Sequence, residues 1–85
     1  MNKQIIKEKL KDIIIKIKDD NSVLINEDTS MINDLGFDSM MYVELVVEVE
    51  ETFDILFEDE YLKSNSIDKA GDLIQYIGEK THANE

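Results

Sequence analysis

Apolar residues recur at three- and four-residue intervals in three separate stretches of this chain, and no proline interrupts any of them. That period places one apolar stripe along each stretch, and a helix with such a stripe buries it by packing on a neighbour. With no cysteine and only three glycines in 85 residues, a strand-rich small fold is disfavoured, because such folds spend more residues on turns. The expected fold is all-α: a small four-helix bundle with a long loop between helices 1 and 2 and a short helix 3. One domain is expected over residues 1–85, with its core at about 3–80 and a frayed tail at 81–85. A hydrophobic fraction of 42% suffices for a packed core. A chain this short buries only about 60–65% of its unfolded surface, so modest stability is expected.

The first stretch covers residues 3–18, where Ile6, Leu10, Ile13, Ile14 and Ile17 share a face and lysines fill the other. Asn2 is the expected N-cap. Asp19, Asp20, Asn21 and Ser22 compete for backbone hydrogen bonds and end the helix. A loop then runs to about residue 38. Val23, Leu24, Ile25, Met31, Ile32, Leu35 and Phe37 make it apolar enough to be pinned across the helix ends, and loops this long in small domains are usually functional or pinned. A second helix is expected from Asp38 and Ser39 to about Phe53, with Tyr42, Leu45, Val46, Val49 and Phe53 inward. Its other face mixes Met40, Glu44, Val47 and Glu51, with Val43 and Glu48 at the margins. A short helix is expected at Asp59, Glu60, Tyr61 and Leu62. The last is expected from Asp68 to Lys80 on Ala70, Leu73, Ile74 and Ile77. Gly71 weakens that helix by about 1 kcal/mol relative to alanine, which points to close packing there.

The formal net charge is −11, and its placement says more than its size. No lysine or arginine occurs from Asp19 through Leu62, while fourteen carboxylates do. A field of that sign repels nucleic acid and attracts basic protein surfaces. No apolar run approaches the length of a membrane span, and the N-terminus lacks the unbroken apolar stretch of a secretory signal, so cytoplasmic residence is expected.

Catalytic groups are few. His82 is the sole histidine and lies in the tail, and there is no cysteine, arginine or phosphate-binding loop. Asp19, Asp20 and Asn21 resemble the start of a calcium loop, but Val23 and Leu24 stand where oxygen ligands or a turn glycine are required, so no metal site is assigned. One segment remains, Asp34-Leu35-Gly36-Phe37-Asp38-Ser39-Met40. Gly36 permits a turn, and both Asp38 and Ser39 suit a helix start. From these residues alone Ser39 is either a helix cap or an exposed reactive hydroxyl.

Asp-Leu-Gly-x-Asp-Ser-Met followed by Val43-Glu44-Leu45-Val46 resembles the phosphopantetheine attachment site of acyl carrier proteins. The similarity continues through Glu27-Asp28-Thr29-Ser30-Met31-Ile32 before it, and through Glu50-Glu51, Phe53-Asp54 and Asp59-Glu60 after it. Ala70-Gly71-Asp72-Leu73-Ile74 and Tyr76-Ile77 resemble the closing helix, so about residues 10–77 are covered. The resemblance implies that a phosphopantetheinyl transferase moves 4'-phosphopantetheine from coenzyme A onto Ser39, with Gly36 and Asp38 completing the cofactor-binding segment. The thiol then arrives with the cofactor and carries acyl groups as thioesters, so no catalytic residue is needed here. Loading ligases or transferases and synthases of fatty-acid, polyketide or related biosynthesis are the implied partners. Their basic patches would meet Glu44, Glu48, Glu50 and Glu51 around an apolar centre of Met40, Met41, Val43 and Val47. Met41 stands where many members carry an acid, Leu56-Phe57 replaces a more polar junction and Phe37 a smaller residue, which suggests a specialised carrier.

Two alternatives stay open: a peptidyl carrier holding an aminoacyl group, and an unmodified acidic helical adaptor in which Ser39 only caps the helix. A free-standing monomer is expected.

Overall fold

Asn2 opens the first helix, α1 (Lys3–Lys18), by accepting the Gln4 N–H on its side chain at 2.7 Å. The structure is a computed structural model and describes residues 2–57 and 68–83. Asp19 closes α1 in the left-handed region at φ 53°, its N–H bonded to the Ile15 carbonyl. The second helix, α2 (Ser39–Phe53), ends the same way on Asp54 at φ 55°. Aspartate tolerates this conformation better than most non-glycine residues, so both helices stop without a glycine. The third, α3 (Ala70–Ala83), completes the all-helical architecture among the described residues. The short helix expected at Asp59 lies outside them.

The ends of α3 differ from the sequence expectation. It begins at Ala70, because Asp68 is engaged with the loop between α1 and α2. It continues past Lys80 to Ala83. Thr81 lies buried in this last turn, its hydroxyl donating to the Ile77 carbonyl at 2.9 Å.

α1 packs against both α2 and α3. Ile6, Leu10 and Ile14 of α1, Leu45 and Val49 of α2, and Leu73 and Ile77 of α3 are completely enclosed. These are the inward positions that the helical period selects. The loop is pinned as its apolar content implies: Val23, Ile25, Met31 and Phe37 are buried, while Leu24 and Ile32 stay exposed.

A backbone clasp joins this loop to the start of α3. The first N–H groups of a helix have no partner inside it. Here Ala70 N–H donates to the Thr29 carbonyl and Gly71 N–H to the Glu27 carbonyl, both at 2.9 Å. A β-carbon on Gly71 would lie 2.8 Å from that Glu27 oxygen, so glycine is what lets the two backbones meet. Asp68 ties the other side. Its carboxylate accepts from Ser30 Oγ at 2.7 Å and Ile32 N–H at 3.1 Å, and its carbonyl accepts from Met31 N–H at 2.8 Å.

Candidate functional site

The loop delivers its last residues to the start of α2 in a defined shape. The Asp34 carboxylate accepts the Ser30 N–H at 2.7 Å, and Phe37, buried, donates its N–H to the Met31 carbonyl at 2.9 Å. Between them Gly36 turns the chain at φ +68°, a conformation few other residues adopt cheaply.

Asp38 then caps α2. Its backbone is extended, at φ −93° and ψ −179°, and its Oδ1 accepts the Met41 N–H at 2.8 Å. The capping group is therefore the Asp38 carboxylate, not the Ser39 hydroxyl. Ser39 is the first helical residue and is exposed. Among the described residues its hydroxyl enters no hydrogen bond.

The start of a helix carries partial positive charge. Lys18 Nζ, reaching from the end of α1, stands 4.0 Å from where a Gly36 β-carbon would be. Sequence reasoning did not foresee this lysine, because a contact between residues 18 and 36 has no local signature.

The outer face of α2 leads away from Ser39. Met40, Val43 and Val47 are 75%, 61% and 44% exposed, and Glu44 and Glu51 are exposed beside them. The other proposed contact residues are placed differently. Met41, expected to be exposed, is half-buried against the core, on the flank of the helix nearer the bundle. Glu48 pairs with Lys16 at 3.2 Å, a surface ion pair worth little by itself. Glu50 turns back to accept the Phe57 N–H at 3.0 Å. Leu56, 78% exposed, adds an apolar side chain that sequence reasoning left out. It borders a groove of about 710 Å³ with Val47, Glu51 and Asp54.

Among the described residues no His, Cys, Asp and Glu group is placed to hold a metal ion, and no helix is long and apolar enough to cross a membrane. Asp20 instead closes a local turn. Its carboxylate accepts from both the hydroxyl and the N–H of Ser22, and these bonds hold it below the ordinary aspartate range.

The sequence model of the phosphopantetheine attachment site family matches residues 4–77. An acyl carrier protein of Clostridium acetobutylicum is 40% identical over 78 residues, spanning 92% of this chain and 96% of that protein. One from Buchnera aphidicola is 44% identical over 71 residues, spanning 82% of this chain and 89% of its own length. One from Caulobacter vibrioides is 40% identical over 74 residues, or 87% of this chain and 92% of its own. In fold, the solution structure of the holo acyl carrier protein from Geobacter metallireducens superposes with a TM-score of 0.79 at 24% identity, over 92% of this chain and 87% of that one. An exposed serine opening a capped helix, in a chain this similar along nearly its whole length, leads to one assignment: the protein belongs to the acyl carrier protein family, whose members are carriers rather than enzymes and whose cofactor is 4'-phosphopantetheine.

Proposed function

We propose that Ser39 is the attachment point of the phosphopantetheine arm, and that the protein presents acyl groups to enzymes of fatty-acid, polyketide or related biosynthesis. The observation that carries this is the division of labour at the start of α2. Asp38 does the capping, which leaves the Ser39 oxygen available to a transferase. The bound arm supplies a thiol that carries acyl groups as thioesters. Gly36 and Asp38 hold Ser39 at the helix start, and Lys18 approaches the same segment at Gly36, three residues before Ser39.

Recognition is proposed on the outer face of α2. Met40, Val43 and Val47 form its apolar centre, and Glu44 and Glu51 present carboxylates to basic partner surfaces. Charge of this kind speeds encounter more than it tightens the complex, which suits a carrier that must also leave. Glu48 and Glu50 contribute less, because each already has a partner within the chain.

The test is intact mass after incubation with coenzyme A, magnesium and a broad-specificity phosphopantetheinyl transferase. A single phosphopantetheine adduct on the wild type, absent from Ser39→Ala, is the expected result. No adduct on folded, initially unmodified protein would make the unmodified adaptor the better description.

A further inference from the structure

Among the described residues, one buried side-chain oxygen has no hydrogen-bond partner: the hydroxyl of Tyr42. Buried polar atoms are almost always paired, and one that is not has forfeited water without replacement. The nearby carboxylate does not serve it. Asp68 is close enough for its charge to be felt at Tyr42, but its oxygens are taken by Ser30 Oγ and Ile32 N–H. Burial first, and then that charge, pushes the Tyr42 hydroxyl up to about 12. It therefore stays protonated at neutral pH and can act as a donor.

Its position is informative. Tyr42 lies three residues after Ser39 on α2, and residues so spaced are neighbours on a helix. Ser39 faces solvent, while the Tyr42 side chain packs against the core. Tyr42 thus lies one turn along α2 from the proposed attachment point, with its hydroxyl enclosed and unused as a donor. The negative charge of Asp68 disfavours an anionic acceptor there, so a neutral oxygen fits. A chain tethered at Ser39 would also be present at high effective concentration, so a single hydrogen bond is enough to matter.

We propose that Tyr42 is a specificity-determining contact whose hydroxyl donates to a carbonyl oxygen of the chain tethered at Ser39 when that chain folds back beside α2. This rests on Ser39 being the attachment point. The carbonyl comes either from an amide of the arm or from the acyl group that the arm carries.

The experiment uses the full chain labelled with 13C at the tyrosine Cζ, as apo, holo, butyryl and 3-oxobutyryl forms, each verified by mass. Tyr42→Phe assigns the resonance. A Tyr42 Cζ shift on going from apo to holo identifies an arm carbonyl. A shift appearing only in acylated forms identifies the acyl group, and one confined to 3-oxobutyryl identifies its second carbonyl. In the responding form the unfolding midpoint should rise by about 4–8 °C more in wild type than in Tyr42→Phe, as expected for one net hydrogen bond in a domain this size. An adduct with an unmoved resonance and equal midpoints in the two proteins overturns the proposal and leaves the hydroxyl to water. Absence of any adduct overturns the attachment assignment as well.

Discussion

Two glycines of α3 should respond in opposite directions to the same substitution. Glycine in a helix interior costs about 0.8–1.0 kcal/mol relative to alanine, so Gly→Ala starts with that gain in full at Gly78 and with at most part of it at Gly71, the second residue of α3. At Gly78 the new methyl would meet Ile6 Cδ1 at 3.7 Å, ordinary van der Waals contact, and the gain should survive. At Gly71 the methyl would meet the Glu27 carbonyl oxygen at 2.8 Å, with Glu27 Cβ at 3.0 Å and Cα at 3.2 Å. Two of those atoms are backbone, so relief requires moving the loop away from α3. Overpacking of this kind costs about 1–3 kcal/mol. The Gly71 N–H bond to the same oxygen adds about 0.5–1.5 kcal/mol if it is lost. Gly71→Ala should therefore destabilise by about 1–3 kcal/mol after the propensity gain, and Gly78→Ala should stabilise by about 1 kcal/mol. Urea unfolding of the apo proteins, followed by circular dichroism, measures both. Equal stabilisation by the two substitutions would refute the close approach of the loop to α3.

Asp38→Ala removes the α2 cap and should cost about 1 kcal/mol in urea unfolding, whereas Ser39→Ala should cost less, because Ser39 is not the capping group. Asp68→Ala leaves Ser30 Oγ and Ile32 N–H without their acceptor. It should cost about 2–4 kcal/mol, with hydrogen exchange accelerated at Met31 and Ile32 before it is at Leu45. Tyr42 has a raised pKa in the folded chain, about 12 against an ordinary 10.0. Its contribution to stability is complete below pH 10 and is lost as pH rises towards 12, since the unfolded chain releases the proton first. The difference in stability between wild type and Tyr42→Phe should therefore change between pH 10 and 12 and stay flat from pH 6 to 9.

The three described helices were legible because each carries its own signal. The period of Ile6, Leu10 and Ile14, of Leu45 and Val49, and of Leu73 and Ile77 places the core faces. Asn2 is a local cap, visible from residue type and position. The last turn of α3 was missed because Thr81 is held by hydrogen bonding and burial rather than by helix propensity. Exposure on α2 was legible for Met40, Val43 and Val47 but not for Met41. Helical spacing assigns a face, while the neighbouring elements decide how far round the helix burial extends.

The sequence by itself determined an all-α chain, a serine at the start of its second helix and an acidic surface beyond it. Those properties depend on residues near one another along the chain. Tertiary structure alone decided that Asp38 and not Ser39 completes the cap, that Glu48 and Glu50 are spent on Lys16 and Phe57, and that Asp68 binds the loop to α3. It also decided that the Tyr42 hydroxyl is buried without an acceptor. Most of these outcomes join residues seven to nearly forty positions apart. The cap choice is local, but two adjacent residues suited it equally and only the delivered backbone geometry at Asp38 separates them. Such contacts depend on where the folded backbone brings donors and acceptors together, which neither hydrophobic period nor residue type encodes.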